Sequence, residues 1–154
     1  MLFKKLGFAP AVVRGIIGSM AVEIEWMDET PERRREIEVE IRRLARRFAE
    51  LGAELVVLFG SRAEGTSNRN SDIDLLVVMP CDTGRSLAGR FAEIGEMVDP
   101  RYATDLLVYT PEEFENLRRT NRFVSDVLRR GRVLFEKKKL AQGSSNDAGH
   151  GQDT

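Results

Sequence analysis

The chain has 154 residues, enough for one domain with a sizeable core, and its 42% hydrophobic and 32% charged residues fit a globular protein. Its 24 basic and 25 acidic residues leave a net charge of −1, which gives no electrostatic ground for a dedicated nucleic-acid binder. One cysteine, Cys81, excludes an intramolecular disulfide and a cysteine-rich metal site; the one histidine, His150, lies in a polar tail where no catalytic or ligand role is expected.

Lys4 and Lys5 precede the apolar stretch Ala11 to Ile17, faintly like a signal peptide. Pro10 and Arg14 interrupt the run, no small-residue cleavage site follows, and the stretch is too short and too charged to span a membrane. Residues 1–27 are therefore expected to be an N-terminal extension, with Met20 or Met27 as alternative start sites. Thr30-Pro31-Glu32 then opens a helix with a capping hydroxyl, a proline at the first helical position and an acid in the first turn. Ile37, Ile41, Leu44, Phe48 and Leu51 recur at steps of four, three, four and three and define its apolar face, and Gly52 ends it. The many arginines of this helix interleave with Glu36, Glu38, Glu40 and Glu50, which predicts a solvated, salt-bridged face.

Glu54 to Phe59 and Leu75 to Met79 read as buried strands, the second closed by Pro80. Asp82-Thr83-Gly84 is a turn or cap, and Leu87, Phe91, Ile94 and Val98 mark a second amphipathic helix. Ala103 to Tyr109 reads as a third strand with one acid, Asp105, inside an apolar run, where an unpaired charge is costly. Thr110-Pro111-Glu112-Glu113 has the form of a capping box. Phe114, Leu117, Phe123, Val124, Val127 and Leu128 continue a helical face to Gly131, with a break expected near Thr120-Asn121. Arg132 to Phe135 reads as a short last strand. Residues 28–136 are expected to form the folded domain, and residues 137–154 a basic, then polar, disordered tail.

Between the first two strands lies the stretch that carries chemistry. Gly60-Ser61 follows one strand, ten residues intervene, and Asp72-Ile73-Asp74 opens the next. Strand alternation puts Asp72 and Asp74 on one face, about 7 Å apart along the chain. Two such carboxylates repel unless a cation lies between them, and an all-oxygen set suits Mg²⁺. Gly60 allows close approach of backbone to a phosphate, and Ser61 offers a hydroxyl and an N–H. A short helix starting there would turn its N-terminal dipole toward an anion. Phosphate cradle and carboxylates together point to phosphoryl or nucleotidyl transfer. A P-loop does not fit, since Thr66 stands where lysine is required. Nor does an aspartyl-phosphate phosphatase, since Leu76 stands where threonine or valine is expected.

The Gly60-Ser61, ten-residue spacer, Asp72-x-Asp74 arrangement resembles the signature of the DNA polymerase β nucleotidyltransferase superfamily, over roughly Glu32 to Glu136. The short chain is most similar to the minimal nucleotidyltransferases (MNT) paired with HEPN-domain proteins in toxin–antitoxin modules. The resemblance implies an α/β (α+β) nucleotidyltransferase fold: a mixed sheet of three or four strands, with helices expected on one face. It implies that Asp72, Asp74 and Asp105 are catalytic and hold one or two Mg²⁺ ions, with Mn²⁺ as an alternative. Asp99 is the competing third acid, but it precedes Pro100 in a predicted loop. The resemblance further implies that Gly60 and Ser61 bind the nucleotide phosphates. Arg62 is a candidate to neutralise the triphosphate; its plainer reading is a surface arginine paired with Glu64.

The implied reaction moves AMP from ATP to a tyrosine hydroxyl of a HEPN-type toxin, in the cytoplasm, with no membrane role. Little of the chain lies beyond the core, so the missing acceptor surface is expected from a partner or from a homo- or hetero-oligomer. Two alternatives stay open: an antitoxin that acts by binding alone, and a transferase acting on a small molecule such as an aminoglycoside.

Overall fold

The computed structural model describes residues 28–81, 84 and 86–138. Residues 1–27, 82–83, 85 and 139–154, on which the expected extension, the Asp82-Thr83-Gly84 turn and the polar tail fall wholly or in part, lie outside these described residues. Helix α1 (Pro31–Glu50) begins as its sequence dictates: Thr30 accepts the Arg33 N–H at 3.2 Å, and Pro31 occupies the first turn, where no N–H is needed. There follow strand β1 (Leu55–Phe59), the single-turn helix α2 (Ser61–Glu64), strand β2 (Ile73–Val78), helix α3 (Leu87–Val98) and strand β3 (Thr104–Tyr109). Helices α4 (Pro111–Thr120) and α5 (Arg122–Arg130) and strand β4 (Arg132–Glu136) complete the order. The Thr110–Glu113 capping box forms in both directions, at 2.9 and 3.2 Å. The expected break is real: Asn121 ends α4 and caps α5 by accepting the Val124 N–H at 3.1 Å.

The strands form one sheet in the order β3-β2-β1-β4. β1 is antiparallel to β2 and β4, and β2 is parallel to β3, with α3 in the crossover. Helices cover both faces, not one. Val56, Leu58, Leu75, Val77, Leu106 and Val108 pack against Ile37, Ile41, Leu44 and Phe48 of α1 and Ile94 and Val98 of α3. On the opposite face Val57, Phe59, Leu76 and Val78 meet Val124 and Val127 of α5, with Phe114 and Leu117 of α4 alongside. The reason is visible in the sequence. β1 and residues Leu75–Val78 of β2 are unbroken apolar runs, and a strand without polar alternation must be covered on both sides. Gly131 lets α5 return this closely: a Cβ there would stand 2.6 Å from Val57 Cγ1 and 2.9 Å from the Leu58 carbonyl.

One charge of α1 faces inward. Glu40, expected on the solvated face, is 2% exposed. Its carboxylate accepts from Arg43 Nε and Nη2 at 2.8 and 2.7 Å and from the Arg101 N–H at 2.9 Å. Arg43 also donates to the Val98 and Asp99 carbonyls at 3.1 and 2.7 Å, tying α1 to the end of α3 and to the approach of β3. The hydrogen bond from Arg43 holds the Glu40 carboxyl below the usual carboxylate range, against the effect of burial. The remaining acids of α1 match the expectation better: Glu38 is paired by Arg132 at 2.9 and 2.8 Å, and Glu50 by Arg47 at 3.3 Å.

Candidate active site

Sheet register brings two of the three candidate aspartates together. Asp74 is the second residue of β2, and its direct neighbour on β3 is Asp105. Adjacent strands lie about 4.8 Å apart, so the two stand side by side on one face. On the other flank Asp74 is paired with Phe59, the last residue of β1. Asp74 is 6% exposed, whereas Asp105 is open to solvent. Asp72 stands one residue ahead of β2 and is exposed. The competing acid, Asp99, caps the far end of α3 in a left-handed conformation (φ 45°).

Because β1 ends opposite Asp74, the turn that follows it arrives at the Asp74 carboxylate. Gly60 has φ 71° and ψ −159°, a region almost closed to residues with a Cβ. A Cβ at Gly60 would also run into the Asp74 carboxylate oxygen. Gly60 is thus glycine for two independent reasons, conformation and contact. Its carbonyl accepts the Ala63 and Glu64 N–H groups at 3.0 and 3.1 Å, winding Ser61–Glu64 into one turn, and the Ser61 carbonyl accepts the Thr66 N–H at 3.0 Å.

The spacer between the two motifs is tied to itself. Asn68 Oδ1 accepts the Asn70 N–H at 2.9 Å, the Asn68 carbonyl accepts the Ser71 N–H at 3.0 Å, and Ser71 Oγ accepts the Asn68 N–H at 2.9 Å. Arg62 closes the loop from within. Its Nε and Nη2 donate to the Ser71 carbonyl at 3.2 and 2.7 Å, and its Nη1 donates to Glu29 Oε1 at 3.0 Å. Its partner is therefore Glu29, not Glu64, which lies 3.8 Å from Arg130 instead. These three bonds engage every nitrogen of the guanidinium, and the Arg62 side chain is 5% exposed.

Beside Asp105 a groove of about 580 Å³ runs along the β3 edge, lined by Phe59, Leu107, Tyr109 and Phe123 from the Asp105 face and by Phe91 and Leu106 from the other. Phe59 and Phe123 meet edge to face, 5.7 Å between centroids and 86° between planes. Phe123, read on one helical face with Val124, Val127 and Leu128, is 48% exposed and lines this groove. Burial, reinforced by the charge of Glu113, pushes the Tyr109 hydroxyl above its ordinary pKa.

The donor set tests the implied metal. Carboxylate oxygens from neighbouring positions are the hard ligands that Mg²⁺ takes, with its remaining shell left to water and phosphate. Asp74 and Asp105 suit such a site by register. Among the described residues, however, no three acidic, His or Cys side chains converge into a ligand set, so the fit is one of donor chemistry and strand placement.

Glu29, Asn68 and Ser71 were not singled out from the sequence. For Asn68 and Ser71 a signal existed, since Asn and Ser three apart in a polar loop form local turns. Glu29 had none, because its partner lies 33 positions away.

The nucleotidyltransferase domain family matches residues 41–142, more than half of the chain, and the chain belongs to that family. Of the solved structures, one similar to it is a candidate nucleotidyltransferase from Sulfolobus solfataricus, 20% identical, covering 70% of this chain and 87% of that one at a TM-score of 0.50. A toxin–antitoxin structure with AMP-PNP is 25% identical, covering 66% of this chain and 74% of that one at a TM-score of 0.41. No curated protein matches the chain. No helix among the described residues is long and apolar enough to cross a membrane.

Proposed function

We propose that the chain is a metal-dependent nucleotidyltransferase that moves AMP from ATP to a hydroxyl acceptor, a tyrosine of a HEPN-type toxin partner, in the cytoplasm. The observation that carries the transferase reading is the meeting of Gly60 with Asp74, and of Asp74 with Asp105, at one end of the sheet. In this reading Gly60 and Ser61 receive the β- and γ-phosphates. Asp72, Asp74 and Asp105 would hold Mg²⁺, which when bound supplies positive charge against the phosphate oxygens. Asp105, the exposed member of the register pair, faces the acceptor and takes its proton. The acceptor oxygen attacks the α-phosphorus in line, the bond to the bridging oxygen breaks, and pyrophosphate leaves. The acceptor assignment is supported by the resemblance and by the groove beside Asp105, whose aromatic and aliphatic walls suit an aryl hydroxyl.

Pyrophosphate release with acceptor present tests the role of Asp105. Asp105→Asn keeps shape and removes the base, and should lower kcat by about 10²- to 10⁴-fold. Wild-type turnover in Asp105→Asn would remove Asp105 from the mechanism.

A further inference from the structure

We propose that Arg62 and Glu29 form a positioning pair that holds the Gly60–Ser61 turn in register with Asp72 and Asp74. Its consequence for catalysis rests on the transferase reading above; its existence rests on geometry alone. Arg62 directly follows Gly60-Ser61, and the carbonyl it grips belongs to Ser71, directly before Asp72. One side chain thus ties the two ends of the spacer together, at the places where phosphate and carboxylate chemistry begin. The guanidinium is a planar fork, so two N–H groups on Ser71 and one on Glu29 fix its orientation as well as its position.

Burial makes the pair obligatory. The Arg62 side chain is 5% exposed and that of Glu29 0%, so neither charge can be satisfied by water once the other is removed. The second Glu29 oxygen, Oε2, makes no hydrogen bond and lies 3.5 Å from Arg34 Nε, so Arg62 is the main partner of this carboxylate. Glu29 precedes α1 and lies outside the residues 41–142 that match the family. The segment ahead of the first helix therefore reaches the nucleotide loop and sets its shape. Arg62 acts here through Ser71 and Asp72 and need not touch substrate.

The test compares Glu29→Gln, Arg62→Ala, Arg62→Lys and the Glu29→Gln, Arg62→Ala double variant. Two readouts are taken: amide exchange of residues 61–72 against β1 and β2, and MgATP affinity by equilibrium dialysis. The expected result is exchange about 10-fold faster in 61–72 with β1 and β2 unchanged, and MgATP affinity about 10-fold weaker, in Glu29→Gln and Arg62→Ala alike. The double variant should be no worse than Arg62→Ala, since either change breaks the same device. If Arg62→Ala does not fold, Arg62→Lys carries the test: it keeps the charge on Glu29 but loses the fork on Ser71. Weakened affinity in Arg62→Ala, with Glu29→Gln unchanged in both readouts, would make Arg62 a direct phosphate ligand and overturn the proposal. So would faster exchange in every strand with unchanged affinity, which would mark a general stability effect. If the wild-type protein binds no MgATP, the transferase reading fails, and exchange in 61–72 alone decides whether the pair positions the loop.

Discussion

Gly60 has the least freedom of any residue at the site. Its left-handed φ and the Asp74 carboxylate against its Cα both exclude a side chain. Gly60→Ala should cost about 1–3 kcal/mol in strain, read as a shift in urea melts. If Asp74 moves to relieve the clash, nucleotidyl transfer should also fall about 100-fold, the scale of a misplacement near 1 Å. A Gly60→Ala variant that is stable and fully active would show that the contact with Asp74 is incidental. At this scale the sequence was informative where chemistry repeats locally. Gly60, Ser61, Asp72 and Asp74 were legible from type and spacing. Asp105 was legible as an acid in an apolar strand, and register then set it beside Asp74. The partner of Arg62 was not legible, because Glu29 and Ser71 meet it only through the tertiary fold.

At the scale of elements, part-buried ion pairs join the helices to one another. Glu40 and Arg43 fasten α1 to the end of α3 and to the approach of β3, and Arg90 of α3 donates to Glu113 of α4 at 2.8 and 3.1 Å. Glu113 already closes the Thr110 capping box, so one carboxylate caps α4 and anchors α3. Arginine hydrogen bonds hold Glu38, Glu40 and Glu113 below the usual carboxylate range. Near pH 4.5 and just below, the unfolded chain therefore binds more protons than the folded one, and stability rises with pH. Their stabilisation is complete above the unfolded pKa near 4.5 and is lost as pH falls through the lowered folded values. Urea melts stepped from pH 6 to 3 should show this acid loss, with a shallower slope in Glu40→Gln. At neutral pH that variant should be less stable by about 2–3 kcal/mol, having weakened charged hydrogen bonds inside the protein. An unchanged slope would mean that Glu40 does not titrate differently in the two states. Helix starts and the break at Asn121 were legible because capping is local. Glu40 was misplaced because its charge was weighed above its position, three after Ile37 and four before Leu44 at the margin of the apolar face, and its partner for burial, the Arg101 N–H, is 61 positions away.

At the scale of the whole molecule, one mixed sheet gathers the two motifs at one end and leaves a groove beside Asp105. The strands were legible as apolar runs, but which faces they covered was not, since unbroken runs carry no inside and outside. Phe123 shows the same limit: helical spacing set it on one face with Val124 and Val127, which are buried, while Phe123 stays 48% exposed against Phe59. The described residues bring the Gly60 turn together with Asp74 and Asp105, and in the proposed function the acceptor hydroxyl comes from a partner seated at that groove.

The most direct measurement is the intact mass of a HEPN-type partner protein after incubation with this chain, ATP and Mg²⁺. An Asp72→Ala, Asp74→Ala double variant runs alongside. The account predicts a gain of one or more AMP units on the partner, absent with the double variant. A stable complex with no mass gain would contradict it and favour an antitoxin that acts by binding alone.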